Sequence, residues 1–403
     1  MLRFCAHWTI GAAACLLWCG QAWADGAEET PASTNEEPPA ILSHVADSYD
    51  TPETSSWDET DPDEPQAELI RERYPNSRVK IERQVTQDSQ DNFINHGKWK
   101  MWDLAGKVIA EGQFIEGQRD GTWVRWVRGN ESKLFAMRPF TQFRGPFLSQ
   151  ASFRNGSLDG TWSIYDSKKR RICQWEYTDG IRDGKWMWWY ANGRKMREVE
   201  YRDGDIDGTY QEWNPEGKLV ISDRYQEGRK LARKVIHYAG SLKQSEGMYL
   251  HAKLVVRGDD DWWNCSLAVF ATQGSDEKHG TWTSWYKNGQ VKLEGKYDHD
   301  MQVDTFTWWH PNGQKAAEGG YRDGKQVDKW TWWHKNGLKA IQGDFNLGTP
   351  ASRWTWWQED GKVAQKADFS HSVGQVVDMP VPDTIPTLGH ERTAQESGRL
   401  EQR

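Results

Sequence analysis

The stretch "DKWTWWHKNGLKAIQGDF", residues 328–345, decides the fold. Its tryptophans, Trp330, Trp332 and Trp333, occupy the first, third and fourth positions of one short segment, and an Asn-Gly pair follows them. Because Asn-Gly tolerates positive φ at both central positions of a tight turn, it is the strongest short-range signal of a β-hairpin. The stretch therefore predicts an aromatic strand, a turn and a second, more polar strand.

The same pattern recurs at a step of 24 residues, as "DTFTWWHPNGQKAAEGGY" (304–321) before this stretch and "SRWTWWQEDGKVAQKADF" (352–369) after it. The first aromatic position marks the period. It falls at Trp99, Trp123, Trp162, Trp186, Tyr210, Trp282, Phe306, Trp330 and Trp354. A repeat of this length buries its apolar face only against its neighbours. The spacing predicts an all-β chain, an elongated antiparallel β-hairpin solenoid or meander of about eleven 24-residue repeats.

Composition divides the chain into four regions. Residues 1–24 contain a short apolar run that ends in Ala-Trp-Ala, which predicts a cleaved secretory signal peptide and hence export to the periplasm, the cell envelope or the medium. Residues 25–70 hold fourteen Asp and Glu but no Lys or Arg, which predicts a disordered acidic linker. The repeat array is expected over 71–369, and a flexible tail over 370–403.

Two parts of the array depart from the period. An insertion is expected near 130–152, and degenerate repeats are expected near 228–274. The two cysteines of the array, Cys173 and Cys265, lie close to four periods apart. A straight array would separate them by about 38 Å at two strand spacings per repeat. Since a disulfide needs Cα atoms within about 7 Å, we predict that they do not pair within one chain.

The tryptophans divide into two predicted roles. Those at the first and fourth positions recur in almost every repeat, which favours a structural core: Trp99, Trp102, Trp123, Trp126, Trp186, Trp189, Trp282, Trp285, Trp330, Trp333, Trp354 and Trp357. The third position also accepts Arg, Ile, Glu and Ser, so it is not an obligatory core site. Where it holds tryptophan, an exposed binding platform is predicted at Trp188, Trp308, Trp332 and Trp356. Alternatively, these four only thicken one face of the sheet.

Chemistry-bearing motifs are scarce. The sequence contains no G-x-S-x-G, P-loop, H-E-x-x-H or Cys-x-x-Cys pattern, so we predict no enzyme and no cofactor. His310 and His334 share a phase in adjacent repeats and would lie about 10 Å apart, too far to share zinc. We therefore expect no metal. Residues 71–403 carry a net charge of +5 against −8 for the whole chain, which favours an acidic partner. We expect no nucleic-acid partner, and the mature chain contains no apolar stretch long enough to span a membrane.

The units "DGKWMWWYANGRKMREVEYRDG" (183–204) and "HGTWTSWYKNGQVKLEGKYDHD" (279–300) resemble MORN-variant repeats, which occur in bacterial proteins described as antitoxin components. The resemblance implies a β-hairpin solenoid that binds a protein or a surface without catalysis. A looser resemblance links the chain to choline- and glucan-binding wall repeats. Two functions follow: an exported, non-enzymatic scaffold for protein or envelope interaction, antitoxin-like or immunity-like in one form, or a binder of envelope polysaccharide that uses a Trp ladder.

Overall fold

The computed structural model describes residues 67–370, which form 25 β-strands and two short 3₁₀ helices. The predicted all-β meander is confirmed, because consecutive strands pair antiparallel along each unit of the structure. Two compact units are present. The first runs to Lys230 and includes residues 252–274, and the second holds 231–251 and the chain from Ser275. The predicted signal peptide (1–24) lies outside the described residues, as does nearly all of the predicted linker and tail.

The first unit contains thirteen meander strands. Since β9 and β10 are two parts of one strand interrupted at Asp183, the thirteen occupy twelve strand positions and form six two-stranded repeats. The strands are β1 (Glu68–Arg73), β2 (Val79–Gln87), β3 (Phe93–Trp102), β4 (Val108–Ile115), β5 (Gln118–Val127), β6 (Phe147–Arg154), β7 (Ser157–Tyr165), β8 (Arg171–Thr178), β9 (Ile181–Arg182), β10 (Gly184–Trp189), β11 (Lys195–Arg202), β12 (Asp205–Trp213) and β13 (Leu219–Gln226). The separate hairpin of this unit consists of β16 (Lys253–Arg257) and β17 (Val269–Gln273).

The second unit contains five two-stranded repeats, which complete the eleven that the period predicts. Its strands are β14 (Arg229–His237, whose first two residues fall in the first unit), β15 (Lys243–Leu250), β18 (Glu277–Trp285), β19 (Val291–Asp298), β20 (Met301–Trp309), β21 (Lys315–Arg322), β22 (Lys325–Trp333), β23 (Lys339–Asn346), β24 (Thr349–Trp357) and β25 (Val363–Asp368). Strand β15 pairs directly with β18. Degenerate repeats were expected over 228–274. Instead, β14 and β15 form one regular hairpin, and residues 252–274 leave the sheet.

The array begins three residues earlier than predicted. Strand β1 starts at Glu68, inside the segment assigned to the acidic linker, and pairs with β2 from Glu68 opposite Val85. Arg71 Nε donates to Glu82 Oε2 at 2.6 Å across this pair. Among the residues of β1 only Ile70 is half-buried and the others are exposed, so this strand covers the edge of the sheet with little core of its own.

The first insertion folds as an aromatic cap on the turn between β5 and β6. It forms 3₁₀ helices at Lys133–Ala136 and Phe140–Gln142, and β6 already begins at Phe147, inside the predicted insertion 130–152. The rings of Phe135 and Phe147 stack with centroids 4.3 Å apart. Ser132 Oγ donates to the carbonyl of Cys265 at 2.6 Å, so the two irregular segments of this unit contact each other.

The second irregular segment is anchored to the sheet by a buried ion pair. Arg182 donates to both carboxylate oxygens of Asp260 at 2.6 and 2.7 Å, and Tyr177 donates its hydroxyl to the same carboxylate at 3.0 Å. Burial raises the pKa of Tyr177 well above its usual value, and the nearby Asp260 carboxylate raises it further. A buried, hydrogen-bonded pair of this kind leaves an uncompensated charge if one partner is removed, so it fixes the segment in place.

This anchoring brings the two cysteines together. Cys173 and Cys265 are both free and both buried, but the predicted separation of about 38 Å is wrong, since the two thiols are close enough to influence each other's pKa. Both lie in one hydrophobic cluster. The straight-array argument failed because residues 252–274 leave the repeat and fold back across earlier strands of the same unit.

We predict that neither thiol of folded protein (residues 25–403) reacts with a disulfide reagent at pH 8. Burial raises the pKa of Cys265 to about 11 and that of Cys173 well above its usual value, so the reactive thiolates are disfavoured. Labelling with and without guanidinium, followed by mass spectrometry, measures this directly, and a Cys173→Ala variant isolates Cys265. Rapid labelling of the folded protein would contradict the burial of this cluster.

Glycines of neighbouring strands make room for the first-position aromatics. A Cβ added to Gly319 or Gly343 would meet the indoles of Trp330 and Trp354, respectively, at 2.0 Å. Trp330 is fully buried, and its Nε1–H donates to the carbonyl of Gly320 at 3.1 Å. The same arrangement places Trp123, Trp282 and Phe306 over Gly112, Gly247 and Gly295. In these five repeats an aromatic ring thus lies on the glycine of the adjacent strand.

The Asn-Gly turns of the second unit are joined by a ladder of side-chain hydrogen bonds. Asn312 Nδ2 donates to the carbonyl of Lys335 at 2.7 Å, and His310 Nε2 donates to that of Trp333 at 2.9 Å. One repeat later the same bonds join Asn336 to Glu359 and His334 to Trp357. Each donor precedes its acceptor by 23 residues, so the ladder holds consecutive repeats in register.

Candidate binding surface

The tryptophans predicted as an exposed platform are mostly buried. Trp308, Trp332 and Trp356 are only 8, 5 and 7 % exposed, and Trp188 is half-buried. Trp332 lies between first-position rings, with its centroid 5.4 Å from Trp330 and 5.8 Å from Trp354. The exposure predicted for the third-position ladder is therefore wrong at Trp308, Trp332 and Trp356.

The third-position tryptophans are buried because side chains alternate between the two faces of a strand. The first and third positions point to one face, which is the aromatic core, and the fourth position points to the other. Among the first-position tryptophans of the predicted core, Trp123, Trp186, Trp282, Trp330 and Trp354 are buried, whereas Trp99 is half-buried. The six fourth-position tryptophans of the predicted core are all half-buried: Trp102, Trp126, Trp189, Trp285, Trp333 and Trp357. A tryptophan that recurs in every repeat has the same role in each, but recurrence alone does not show whether its side chain lies on the core face or on the opposite face of the sheet.

In the second unit the fourth-position tryptophans alternate with lysines. Trp309 is paired with Lys315 across β20 and β21, and Trp333 is paired with Lys339 across β22 and β23. Lys315 Nζ lies 5.8 Å from the ring centroid of Trp333, and Lys339 Nζ lies 6.0 Å from that of Trp357. We call this series, Trp309, Lys315, Trp333, Lys339 and Trp357, the Trp–Lys row.

The first unit carries a shorter series of the same kind. Arg171 lies 5.0 Å from the ring of Trp189, and Lys195 lies 5.2 Å from the ring of Trp213. Lys195 is also the cross-strand partner of Trp189. Cation–π contacts at exposed sites contribute about 0.5–1 kcal/mol each. Their regular recurrence gives both units a face of partly exposed aromatic and cationic groups.

The charges along the Trp–Lys row are unevenly compensated. Lys315 forms an ion pair with Glu318 three residues later, whereas the corresponding contact of Lys339 is a 3.4 Å hydrogen bond to the neutral Gln342. Both lysines are exposed. Their ammonium groups lie over indole faces on which a sugar ring would otherwise stack. The row therefore offers positive charge flanked by ring edges rather than open aromatic faces.

Two other candidate sites have simpler explanations. His310 and His334, considered as metal ligands in the sequence, are buried donors of the turn ladder, and the equivalent donor one repeat before His310 is Tyr286, which donates to Trp309. A groove of about 920 Å³ lies on the first unit beside Trp126. Its walls include the ion pairs Arg125–Glu131 and Arg128–Asp103, so its charged groups already have partners.

Comparison with known proteins identifies the repeat. Residues 95–116, 182–203 and 278–299 match the MORN repeat variant family model, and each match covers one two-stranded repeat of the structure. The chain therefore carries MORN-variant repeats, as the sequence resemblance indicated. No curated protein matches the chain. Within residues 67–370, no helix has the length and apolar character that crossing a membrane would require.

Solved structures provide only distant similarities. The crystal structure of TcdB2-TccC3-Cdc42 matches 74 % of this chain at 11 % identity with a TM-score of 0.14, and that of TcdB2-TccC3 matches 75 % at 11 % identity with a TM-score of 0.10. The matched stretches cover 20 and 23 % of those chains. TM-scores this low establish no common fold.

Proposed function

We propose that this protein is an exported, non-enzymatic scaffold that binds an acidic protein partner through the Trp–Lys row. The observation that carries the proposal is the alternation of partly exposed tryptophans and exposed lysines along one face of the second unit. Tryptophan is enriched among the residues that dominate interface energies, and lysines steer acidic partners. The signal peptide predicted from the sequence and the MORN-variant repeats support the same proposal, and an antitoxin-like or immunity-like role would be one form of it.

The polysaccharide alternative is weakened by the structure. It relied on an exposed ladder at Trp308, Trp332 and Trp356, which are buried among other aromatic rings. The fourth-position tryptophans are more exposed, but lysines occupy the space above Trp333 and Trp357. Polysaccharide binding is therefore an outcome of the test below and not a second proposal.

We predict that a Lys315→Gln, Lys339→Gln double variant binds an acidic partner about tenfold more weakly, because rim charges govern association and its salt dependence. Protein partners would first be captured from envelope extract, and affinity would then be measured for the captured protein, poly-glutamate and cell-wall polysaccharide. Lys325→Gln, Lys335→Gln is the charge-matched control. Salt-insensitive binding that is unchanged in the double variant, or retention on polysaccharide alone, would contradict the proposal.

A further inference from the structure

A cluster of two histidines and two carboxylates lies at one end of the repeat formed by β18 and β19. His279 Nδ1 is 3.2 Å from Asp298 Oδ1, and His299 Nε2 is 3.9 Å from the same oxygen. One ligand atom each from His279, Asp298 and His299 lie within 4.8 Å of one another. On the far side of its ring, His299 Nδ1 is 2.7 Å from Glu277 Oε2.

We propose that this cluster is a binding site for a divalent transition-metal ion of the zinc class. Zinc takes histidine nitrogen and carboxylate oxygen at about 2.0–2.2 Å, and tetrahedral geometry then places the ligand atoms about 3.4 Å apart. The observed separations of 3.2 and 3.9 Å bracket that distance. His279, Asp298 and His299 supply three ligands and leave the fourth position to water.

The contact between Glu277 and His299 has the arrangement found around bound metals. A metal-binding histidine almost always donates its second ring N–H to a carboxylate, a carbonyl or water, which fixes the tautomer and orients the ring. Here Glu277 accepts from Nδ1, so the other nitrogen, Nε2, is turned toward Asp298 with its lone pair available. Glu277 is thus a positioning residue of the site.

His279 provides a separate indication. Its Nδ1 is shielded from solvent and has no hydrogen-bond partner among the described residues, because its approach to Asp298 lacks hydrogen-bond geometry. A polar atom in that position is costly unless something satisfies it. A metal ion between His279, Asp298 and His299 would satisfy it with a coordination bond.

Histidine stands at both the 279 and the 299 positions in this repeat, whereas each other repeat has it at one of them or at neither. At the position of His279, four other repeats have aspartate, namely Asp120, Asp159, Asp183 and Asp207, and one has His96. Where this repeat reads Asp298-His299-Asp300, two others read Arg-Asp-Gly, at 202–204 and 322–324. Asp300 adopts φ of 63° where seven other turns have glycine, and its carboxylate accepts from the backbone N–H of Lys278 at 2.7 Å. Asp300 therefore has a structural role in the turn, and only the departures at His279, Asp298 and His299 bear on the metal site.

The test uses the untagged chain without the predicted signal peptide (residues 25–403), stripped of metal, and Zn²⁺ as the probe in isothermal titration calorimetry. We expect saturable binding of one ion per chain. A reverted variant (His279→Asp, Asp298→Arg, His299→Asp, Asp300→Gly) restores residues that other repeats already use, and it should fold normally and lose saturable binding. Glu277→Gln should weaken binding about 10- to 100-fold. His237→Gln, at an exposed histidine elsewhere in the unit, should bind like the original chain.

Thermal unfolding provides a second readout. Zn²⁺ at about a hundred times its dissociation constant should raise the midpoint of the original chain by about 5 °C and leave that of the reverted variant unchanged. A His279→Gln variant keeps the turn sequence and should behave as the reverted variant does. Equal Zn²⁺ affinity in the original and reverted chains, or only unsaturable binding by the original chain, would overturn the proposal.

Discussion

Replacing Gly319 by alanine should destabilise the second unit by about 3 kcal/mol or more. The new methyl group would meet Cδ2 and Cε2 of Trp330 at 2.0 and 2.2 Å. That indole cannot move aside easily, since it is fully buried and its Nε1–H is bound to the carbonyl of Gly320. Urea denaturation, monitored by far-UV circular dichroism, measures the decrease in the free energy of unfolding.

The matched control for this substitution is Gly289→Ala. A Cβ at Gly289 has no atom within 4 Å, but the residue has φ of +83°, so only the backbone cost of about 1 kcal/mol is expected. A second control combines Gly319→Ala with Trp330→Leu, which removes the ring that the methyl group meets. In the Trp330→Leu background, Gly319→Ala should lower the free energy of unfolding much less than it does in the original chain. Equal costs at Gly319 and Gly289 would show that the ring does not lie on the glycine.

Replacing Trp332 by alanine should cost about 4 kcal/mol, because it deletes a buried ring packed against Trp330 and Trp354. The adjacent Trp333→Ala should cost only about 1 kcal/mol, since that ring is half-buried on the opposite face. Both free energies of unfolding come from urea titrations. Partner binding should show the reverse order and weaken mainly in Trp333→Ala. A larger stability loss for Trp333→Ala would mean that the core lies on the other face.

The sequence predicts the architecture well because the hairpin signals are local. Asn-Gly turns and the 24-residue step need no knowledge of distant contacts, and they define eleven antiparallel repeats. The irregular segments were harder to predict. Residues 252–274 depend on Arg182, on Tyr177 and on the aromatic cluster of earlier strands, so their position follows from contacts far apart in sequence. That is why the two cysteines were predicted to lie far apart.

The third-position tryptophans were predicted to be exposed for a specific reason. Variability at the third position was interpreted as exposure, yet an arginine can be accommodated there by stacking, as Arg125 does at 4.5 Å from the ring of Trp263. The available signal was the spacing itself, since residues two apart in a strand share a face. Applied to Trp330 and Trp332, it places both in the core. The site at His279 and His299 had a different signal, which was departure from the chain's own repeat pattern.

The turn ladder implies that the array can gain or lose whole 24-residue repeats during evolution. Asn312 donates into the following repeat and its own turn accepts from Asn288, so each repeat carries one donor and one acceptor of the same kind. Duplicating or deleting one 24-residue repeat would join matching ends and leave the bonds elsewhere unchanged. A gene encoding such an array can therefore lengthen or shorten the Trp–Lys row by unequal recombination, while each added repeat folds as its neighbours do.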